Sequence, residues 1–189
     1  MTMEIFERVL EDYKEMGGGA FSIHPVMGDI FLDKKIPERI EMLKNYEMIG
    51  PTLFVTNGVF SDRFDDRTIK MILQDTKLRV SVYGLDRDEH KEITKVDDYD
   101  RFVASLRRLL RLRIEVGGQR IVQLSITLNR ERSKAEVQRW MENNLESDML
   151  EHINWGVQPP LSNFGGGQLS LMRFSKPTET IFCAQGYLL

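Results

Sequence analysis

A short apolar run that ends in polar residues or glycine recurs four times along this chain, and this repetition most constrains its fold. The four run ends lie at residues 22–29, 55–58, 81–84 and 125–129. Helix-like segments follow them, and strands alternating with helices predict a parallel sheet with right-handed crossovers. Because α/β proteins bind ligands at the carboxyl ends of parallel strands, the four run ends also predict a ligand site.

Hydrophobic periodicity places helices and strands along most of the first 144 residues. Predicted helices cover residues 4–16, 36–47, 65–74, 99–112 and 134–144. Predicted strands cover residues 20–24, 52–56, 78–82 and 120–127, and a charged loop fills residues 86–98. This alternation fits either a partial β/α barrel or a doubly wound sheet.

Composition excludes several classes of protein. The 189-residue chain is long enough for one domain with an appendage, and no apolar run approaches the roughly 20 residues that span a bilayer. A net charge of −3 argues against a dedicated nucleic-acid binder. Cys183 is the single cysteine, which rules out an internal disulfide framework and indicates a reducing compartment. We therefore expect a cytoplasmic protein without a membrane or nucleic-acid partner.

The alternation of strands and helices ends after about residue 146. Residues 155–160 and 163–167 are rich in glycine and proline, as turns are. We therefore divide the chain into a β/α unit at residues 1–146 and an irregular C-terminal extension at residues 147–189. The apolar residues 181–189 indicate either a chain that continues or a tail that docks on a core or partner.

Three segments carry motifs whose order is informative. Residues 26–33 read Val-Met-Gly-Asp-Ile-Phe-Leu-Asp, residues 56–58 read Thr-Asn-Gly, and residues 81–90 read Ser-Val-Tyr-Gly-Leu-Asp-Arg-Asp-Glu-His. Together they resemble the radical S-adenosylmethionine (radical SAM) superfamily, in which a cofactor-holding turn precedes strand ends with Thr-Asn-Gly and with Ser-x-x-Gly and Asp-x-x-x-His. Residues 1–6 resemble the helix that follows the iron–sulfur cluster loop in that superfamily. The resemblance covers roughly residues 1–129.

The resemblance implies a partial parallel β/α barrel, truncated at its N-terminal strand, that binds S-adenosylmethionine. The candidate cofactor-binding residues lie at the predicted strand ends and are Gly28, Asp29, Asn57, Ser81, Thr127 and Asn129. By this resemblance Gly28 lets the backbone approach the cofactor, and Asp29 pairs with its ammonium group. The other side chains would bond ribose or carboxylate groups, with Thr127 and Asn129 as alternatives. Each position could instead serve only a turn or a strand end.

Departures from the family pattern limit the activity that the resemblance implies. The family holds a 4Fe-4S cluster on a Cys-x-x-x-Cys-x-x-Cys loop, and this chain has neither that loop nor the strand before it. We expect the cluster only in a longer form that carries those cysteines upstream. Asp29 and Ile30 replace the family's Glu-Pro pair, which keeps a carboxylate on a shorter side chain. A frequent arginine after the Ser-x-x-Gly segment is also missing, and Lys95 could supply its charge.

The absent cysteine loop has two explanations. The chain could be a fragment that begins at an internal methionine, which we favour because the remaining motifs are intact, or a degenerate relative that has lost its cluster. The first implies the central part of a radical SAM enzyme that uses 5′-deoxyadenosyl-radical chemistry, with a peptide as the preferred substrate class. The second implies a non-catalytic barrel that binds a small molecule or a protein. An ordinary α/β-barrel enzyme with chance motif matches is a third alternative.

Several single residues have a structural and a functional interpretation. Cys183 could be the first ligand of an auxiliary cluster, although lone cysteines are usually buried apolar side chains. His90 resembles the histidine of the family's Asp-x-x-x-His element and is by that resemblance expected to organise its loop. The three histidines lack metal-ligand spacing. The arginines at positions 101, 107, 108, 111 and 113 are expected to form a solvated helix face or ion pairs rather than a nucleic-acid or leader-peptide contact.

Overall fold

Five parallel strands form one sheet, and their order across the sheet is their order along the chain. The computed structural model of the protein describes residues 1–24, 28–47, 49–117 and 122–158. The strands are β1 (Gly19–Ile23), β2 (Ile49–Thr56), β3 (Thr76–Tyr83), β4 (Val122–Thr127) and β5 (Ile153–Gln158). Since all neighbours are parallel, the five carboxyl ends meet at one edge, which we call the carboxyl edge. The predicted α/β fold with a parallel sheet is confirmed.

Helices cover one face of this sheet. In the described segments they are α1 (Met3–Glu15), α2 (Ile36–Leu43), α3 (Asp66–Asp75), α4 (Arg87–Thr94), α5 (Tyr99–Val116), α6 (Lys134–Asn144) and α7 (Ser147–Leu150). Crossovers of one hand between consecutive neighbouring strands place the connecting helices on the same side of the sheet. The main apolar cluster accordingly joins helical residues such as Leu109 to one side of the strands, including Phe54 and Leu124. This arrangement is consistent with a partial β/α barrel and differs from a doubly wound sheet.

Side-chain caps fix the start of the helices that follow the strand ends. Asp65 and Asp86 each accept a hydrogen bond from a backbone N–H in the first turn of α3 and α4. Ser133 and Glu136 form a reciprocal capping box at the start of α6. Each cap stabilises its helix by about 1 kcal/mol. The caps therefore set where the chain turns from the carboxyl edge into the helical layer.

Helix α4 forms where the sequence predicted a charged loop, so that prediction is wrong. Seven of its eight residues are polar or charged, with Ile93 the exception, which hides the helical periodicity. The buried residues of α4 are Glu89 and His90, and polar contacts rather than apolar packing hold it in place.

Regular structure also continues past residue 146, and the expected irregular extension is corrected for Ser147–Gln158. Helix α7 and strand β5 occupy this stretch, and β5 pairs with β4 along its whole length. The strand escaped prediction because it lies at the edge of the sheet and carries Asn154, Gly156 and Gln158. Cys183 and the other residues beyond position 158 lie outside the described part of the chain, and the division into two units stays a prediction.

Candidate functional site

The side of the sheet opposite the helices is polar. Along β3 the even-numbered residues from Leu78 to Val82 are buried, whereas the odd-numbered residues from Lys77 to Tyr83 are exposed or half-buried. The same alternation runs through β4 as far as Ile126, and Thr127 is also buried. Strand register extends this side across the sheet, and we call it the polar face. It consists of Ser22, Leu53, Val55, Lys77, Arg79, Ser81, Tyr83, Gln123, Ser125, Thr127, Asn154, Gly156 and Gln158.

Four hydroxyl groups lie on the polar face near the carboxyl edge. Ser81 lies beside Ser125, and Tyr83 lies beside Thr127 on the neighbouring strand. None of these hydroxyls forms a hydrogen bond with another residue of the described ranges. A hydroxyl both donates and accepts hydrogen bonds. The four groups can therefore bind the hydroxyls or carboxylate of a ligand.

Asp29 joins the loop after β1 to the end of β2. Its Oδ1 accepts the backbone N–H of Phe31 at 2.9 Å, and its Oδ2 accepts the Thr56 hydroxyl at 2.6 Å and the Asn57 backbone N–H at 2.8 Å. We call Asp29, Thr56 and Asn57 the Asp29 junction. Its carboxylate is only 5% exposed, and no Lys or Arg of the described residues pairs with it. Because a carboxylate accepts about four hydrogen bonds, Oδ1 keeps one acceptor position.

The glycines beside the Asp29 junction have conformations that other residues rarely adopt. Gly28 has φ +84°, and a Cβ there would lie 3.3 Å from Cδ1 of Leu32. Gly58 has φ +78°, and a Cβ there would lie 3.0 Å from Cδ1 of Leu109. Both turns thus need glycine for structural reasons. Gly28 is also exposed, so its backbone remains accessible to a ligand.

The other predicted site residues lie along the same edge. Asn57 belongs to the Asp29 junction, whereas Ser81 and Thr127 lie on the polar face of neighbouring strands. Asn129 lies two residues beyond β4 with an exposed side chain, and its backbone N–H donates to Glu89 Oε1 at 3.2 Å. The structure therefore gathers all the candidate residues at one edge, while their roles toward a cofactor stay predictions.

A second junction, built from ion pairs, joins the ends of β3 and β4. The fully buried Glu89 accepts the Leu85 backbone N–H through Oε2 at 3.1 Å. Arg132 Nη2 lies 2.7 Å from Asp86 Oδ2 and 3.3 Å from Glu89 Oε2. Arg130 adds a contact of 3.3 Å to Asp86 Oδ1. We call Asp86, Glu89, Arg130 and Arg132 the Glu89 junction, and its carboxylates are neutralised within the protein.

His90 fastens helix α4 to the elements around it. Its Nδ1 lies 2.8 Å from the Tyr83 carbonyl oxygen, and its Nε2 lies 2.9 Å from Asp98 Oδ1. The imidazole also stacks on Phe102, with 5.4 Å between ring centroids. The expectation that His90 organises its loop is confirmed, and the loop contains a helix.

The contacts of the Glu89 junction shift the pKa of Asp86 and of Arg132. Burial alone would raise the pKa of Asp86, but the Glu89 backbone N–H together with Arg130 and Arg132 holds that pKa below its ordinary value. Burial alone would lower the pKa of Arg132, but hydrogen bonds and charges from Glu136, Glu89 and Asp86 raise it. These pKa shifts keep the groups charged and paired near neutral pH.

Sequence reasoning missed the cations of the Glu89 junction. The structure places Lys95 at the C-terminus of α4, exposed and with φ 64°, where it forms no ion pair with another described residue. The positive charges at the ends of β3 and β4 belong instead to Arg130 and Arg132. In the sequence, only the position of these two arginines just after the run end at residues 125–129 could have indicated this role.

The arginines of α5 serve packing between elements. Three form ion pairs with acidic residues, namely Arg101 with Asp62, Arg108 with Asp66 and Arg111 with Glu146. Arg113 is buried and donates to the Leu73 carbonyl oxygen. The ion-pair alternative is therefore confirmed for those three, and Arg113 is not part of a solvated face.

We compared the chain with protein-family models and with curated proteins. No protein-family model matches the chain, and no curated protein is significantly similar to its sequence. Across the described ranges, no three His, Cys, Asp or Glu side chains are grouped so that they could hold a metal ion. Within the same ranges, every helix is too short or too polar to cross a bilayer.

Proposed function

We propose that this chain is the central part of a radical SAM enzyme and that its carboxyl edge binds S-adenosylmethionine. The observation that carries the proposal is the Asp29 junction, which holds a nearly buried carboxylate without a cationic partner among the described residues. A ligand ammonium would supply the missing positive charge and use the remaining acceptor position of Oδ1. The order of the strand-end motifs in the sequence supports the same cofactor.

Neighbouring groups fit the rest of the cofactor. Asn57 accepts the Val59 N–H with its Oδ1, which leaves its amide N–H groups to donate to a carboxylate. The hydroxyls of Ser81 and Thr127, or the side chain of Asn129, would bond the ribose. The bound cofactor would supply radical chemistry at an unreactive C–H bond of the substrate. The chain's own residues would bind and orient both molecules and limit the access of water.

The residues of this chain do not fit an iron–sulfur cluster. Such clusters are held by several thiolates, and Cys183 is the single cysteine. Cluster ligands would therefore have to come from sequence outside these 189 residues. The function that we assign to this chain is the binding of cofactor and substrate.

A peptide remains the preferred substrate class. The polar face spans five strands, or roughly 19 Å at about 4.8 Å between strands, which is wide enough for an extended peptide. The single cysteine favours one alternative function, a binding module without redox chemistry. The two functions share the ligand site and differ in whether a cluster is added.

Calorimetric titration of the full chain with S-adenosylmethionine tests the cofactor site. Asp29→Asn should weaken binding by about tenfold or more, because a charged hydrogen bond contributes about 1.5–3 kcal/mol. Ser81→Ala should weaken it by a few fold, since that hydroxyl has no partner among the described residues. The exposed Asp12 on α1 provides a matched control, and Asp12→Asn should change nothing.

A truncated ligand separates ammonium recognition from damage to the fold. 5′-Methylthioadenosine lacks the ammonium and the carboxylate, so Asp29→Asn should leave its affinity unchanged. Equal losses for both ligands would show that the substitution disturbs the loop rather than the proposed contact. Failure of the wild-type chain to bind S-adenosylmethionine at millimolar concentration would refute the cofactor assignment.

A further inference from the structure

The polar face carries positive charge and no acidic side chain, although Asp and Glu outnumber Lys and Arg in the chain by 29 to 26. Its two cations are Lys77 and Arg79, two positions apart on β3. No carboxylate of the described residues lies within 4 Å of either cation. We propose that the polar face binds a carboxylate-bearing substrate, such as an acidic peptide, through Arg79. This inference rests on the proposed function in treating the polar face as the substrate surface.

Among the described residues, Arg79 forms hydrogen bonds only through the Nε of its guanidinium. Nε donates to Oε1 of Gln123, its neighbour on β4, at 2.9 Å. The two terminal nitrogens make no hydrogen bond with the described residues. Together they form a planar pair of donors that matches the two oxygens of a carboxylate. Gln123 acts as a positioning residue, because its bond holds the guanidinium before a ligand arrives.

The location of Arg79 separates this site from the proposed cofactor site. Arg79 lies four residues before the end of β3, about 13 Å from the carboxyl edge at roughly 3.3 Å per residue. The Asp29 junction lies at that edge and selects a cation. A substrate anchored by its carboxylate at Arg79 would extend along β3 toward Ser81 and the bound cofactor. Lys77 lies two residues further from the carboxyl edge. Its charge would strengthen the attraction for the substrate carboxylate without fixing the orientation of that carboxylate.

Titration of the full chain with succinate at low ionic strength, followed by amide NMR, tests this site. Succinate should shift the amide signals of Arg79 and Gln123. Arg79→Gln should weaken succinate binding about tenfold or more, and Arg79→Lys should weaken it by a smaller factor because it keeps the charge but not the fork. Arg67 is exposed on α3, so Arg67→Gln removes the same charge from the helical layer and should change nothing.

Several results would overturn the inference. The first is that succinate causes no shifts of the amide signals. The second is that Arg79→Gln and Arg67→Gln weaken succinate binding equally. The third is that inorganic phosphate binds more tightly than succinate at Arg79. Gln123→Ala should weaken succinate binding by a few fold while the free energy of unfolding stays unchanged, and an unaltered affinity would contradict the positioning role.

The same samples distinguish this inference from the proposed function. Arg79→Gln should bind S-adenosylmethionine as the wild type does, since Arg79 makes no contact with the Asp29 junction that carries the cofactor assignment. If succinate binding depends on Arg79 while S-adenosylmethionine fails to bind, the carboxylate site stands and the cofactor proposal falls. If the cofactor binds and succinate does not, only this inference falls.

Discussion

Two junctions at the carboxyl edge hold loops to strand ends by different means. The Asp29 junction uses neutral donors, a hydroxyl and backbone N–H groups, around one carboxylate. The Glu89 junction surrounds its carboxylates with guanidinium groups at distances down to 2.7 Å. Both carboxylates, Asp29 and Glu89, are buried, at 5% and 0% exposure. Burial therefore does not distinguish the junctions, but the presence of a cationic partner does.

The difference indicates which junction is architectural and which can take a ligand. A buried charge is costly unless it is paired or well hydrogen-bonded. Glu89 has Arg132 as a partner, so a ligand cation would have to displace an existing pair. Asp29 is held by hydrogen bonds from neutral donors, and no Lys or Arg of the described part of the chain pairs with it. An incoming ammonium would meet less competition there.

Glycine substitutions beside the two junctions should give the largest difference in the free energy of unfolding. Gly84 has φ +74°, and a Cβ there would lie 2.6 Å from the His90 backbone nitrogen, so Gly84→Ala should cost about 4 kcal/mol through strain and overlap. Among the described residues Gly28→Ala meets only the flexible side chain of Leu32, and it should cost about 1–2 kcal/mol. Urea denaturation measures both free energies of unfolding.

Gly117 calibrates the cost of the backbone conformation alone. It has φ +77°, and a Cβ there would have no neighbour within 4 Å among the described residues. Gly117→Ala should therefore show the strain of its backbone conformation without steric overlap. If Gly84→Ala costs no more than Gly117→Ala, the close packing of the Glu89 junction is not rigid.

Loss of the buried carboxylate should give the next largest effect. Glu89→Gln should cost about 3 kcal/mol, because Arg132 loses a partner and an amide N–H₂ replaces an acceptor near two backbone N–H groups. The matched control is Glu92→Gln, which changes an exposed residue of the same helix. Urea denaturation should show almost no change for the control. Equal effects for the two variants would contradict a structural role for the Glu89 junction.

Much of the fold follows from hydrophobic patterning, and the exceptions are polar. Apolar runs predicted β1 to β4 to within three residues at each end, as residues 78–82 did for β3. The capped segment Lys134–Asn144 was predicted with its observed bounds. Helix α4 was missed because its buried residues, Glu89 and His90, are polar and depend on tertiary partners. Hydrophobic periodicity cannot detect a helix whose buried residues are polar and hydrogen-bonded.

The sequence predicted at which edge of the sheet the candidate site lies, but it did not predict the contacts that form the site. Strand ends in parallel sheets meet at one edge, so the positions of Asn57, Ser81 and Thr127 followed from topology. The contact between Asp29 and Thr56 spans 27 residues and depends on loop conformation. The guanidinium groups of Arg130 and Arg132 reach a carboxylate more than 40 residues away. Such long-range pairings cannot be read from local sequence.

Removal of one neutral donor tests the Asp29 junction. Thr56→Val should cost about 2 kcal/mol, because the Thr56 hydroxyl donates to Asp29 Oδ2 and also accepts the Gly58 N–H at 2.8 Å. Thr52 is equally buried on β2, but its hydroxyl has no partner in the described residues, so Thr52→Val should be nearly neutral. Chemical denaturation compares the pair. Similar costs would mean that the hydroxyl bond to Asp29 contributes nothing to stability.

The smallest expected effect is a pH dependence confined to the Glu89 junction. The folded-state pKa of Asp86 is lowered, so its stabilisation is present above the ordinary aspartate pKa of about 4 and is lost as pH falls through the lowered value. Asp86→Asn keeps an N-cap acceptor and removes the charge, so it should cost less than about 1 kcal/mol at pH 7. The difference in free energy of unfolding between wild type and variant should shrink as the pH falls below about 4 and through the lowered pKa of Asp86. Denaturation series with Asp12→Asn as the exposed control measure it, and a difference that stays constant with pH would show that the Asp86 charge does not stabilise the junction.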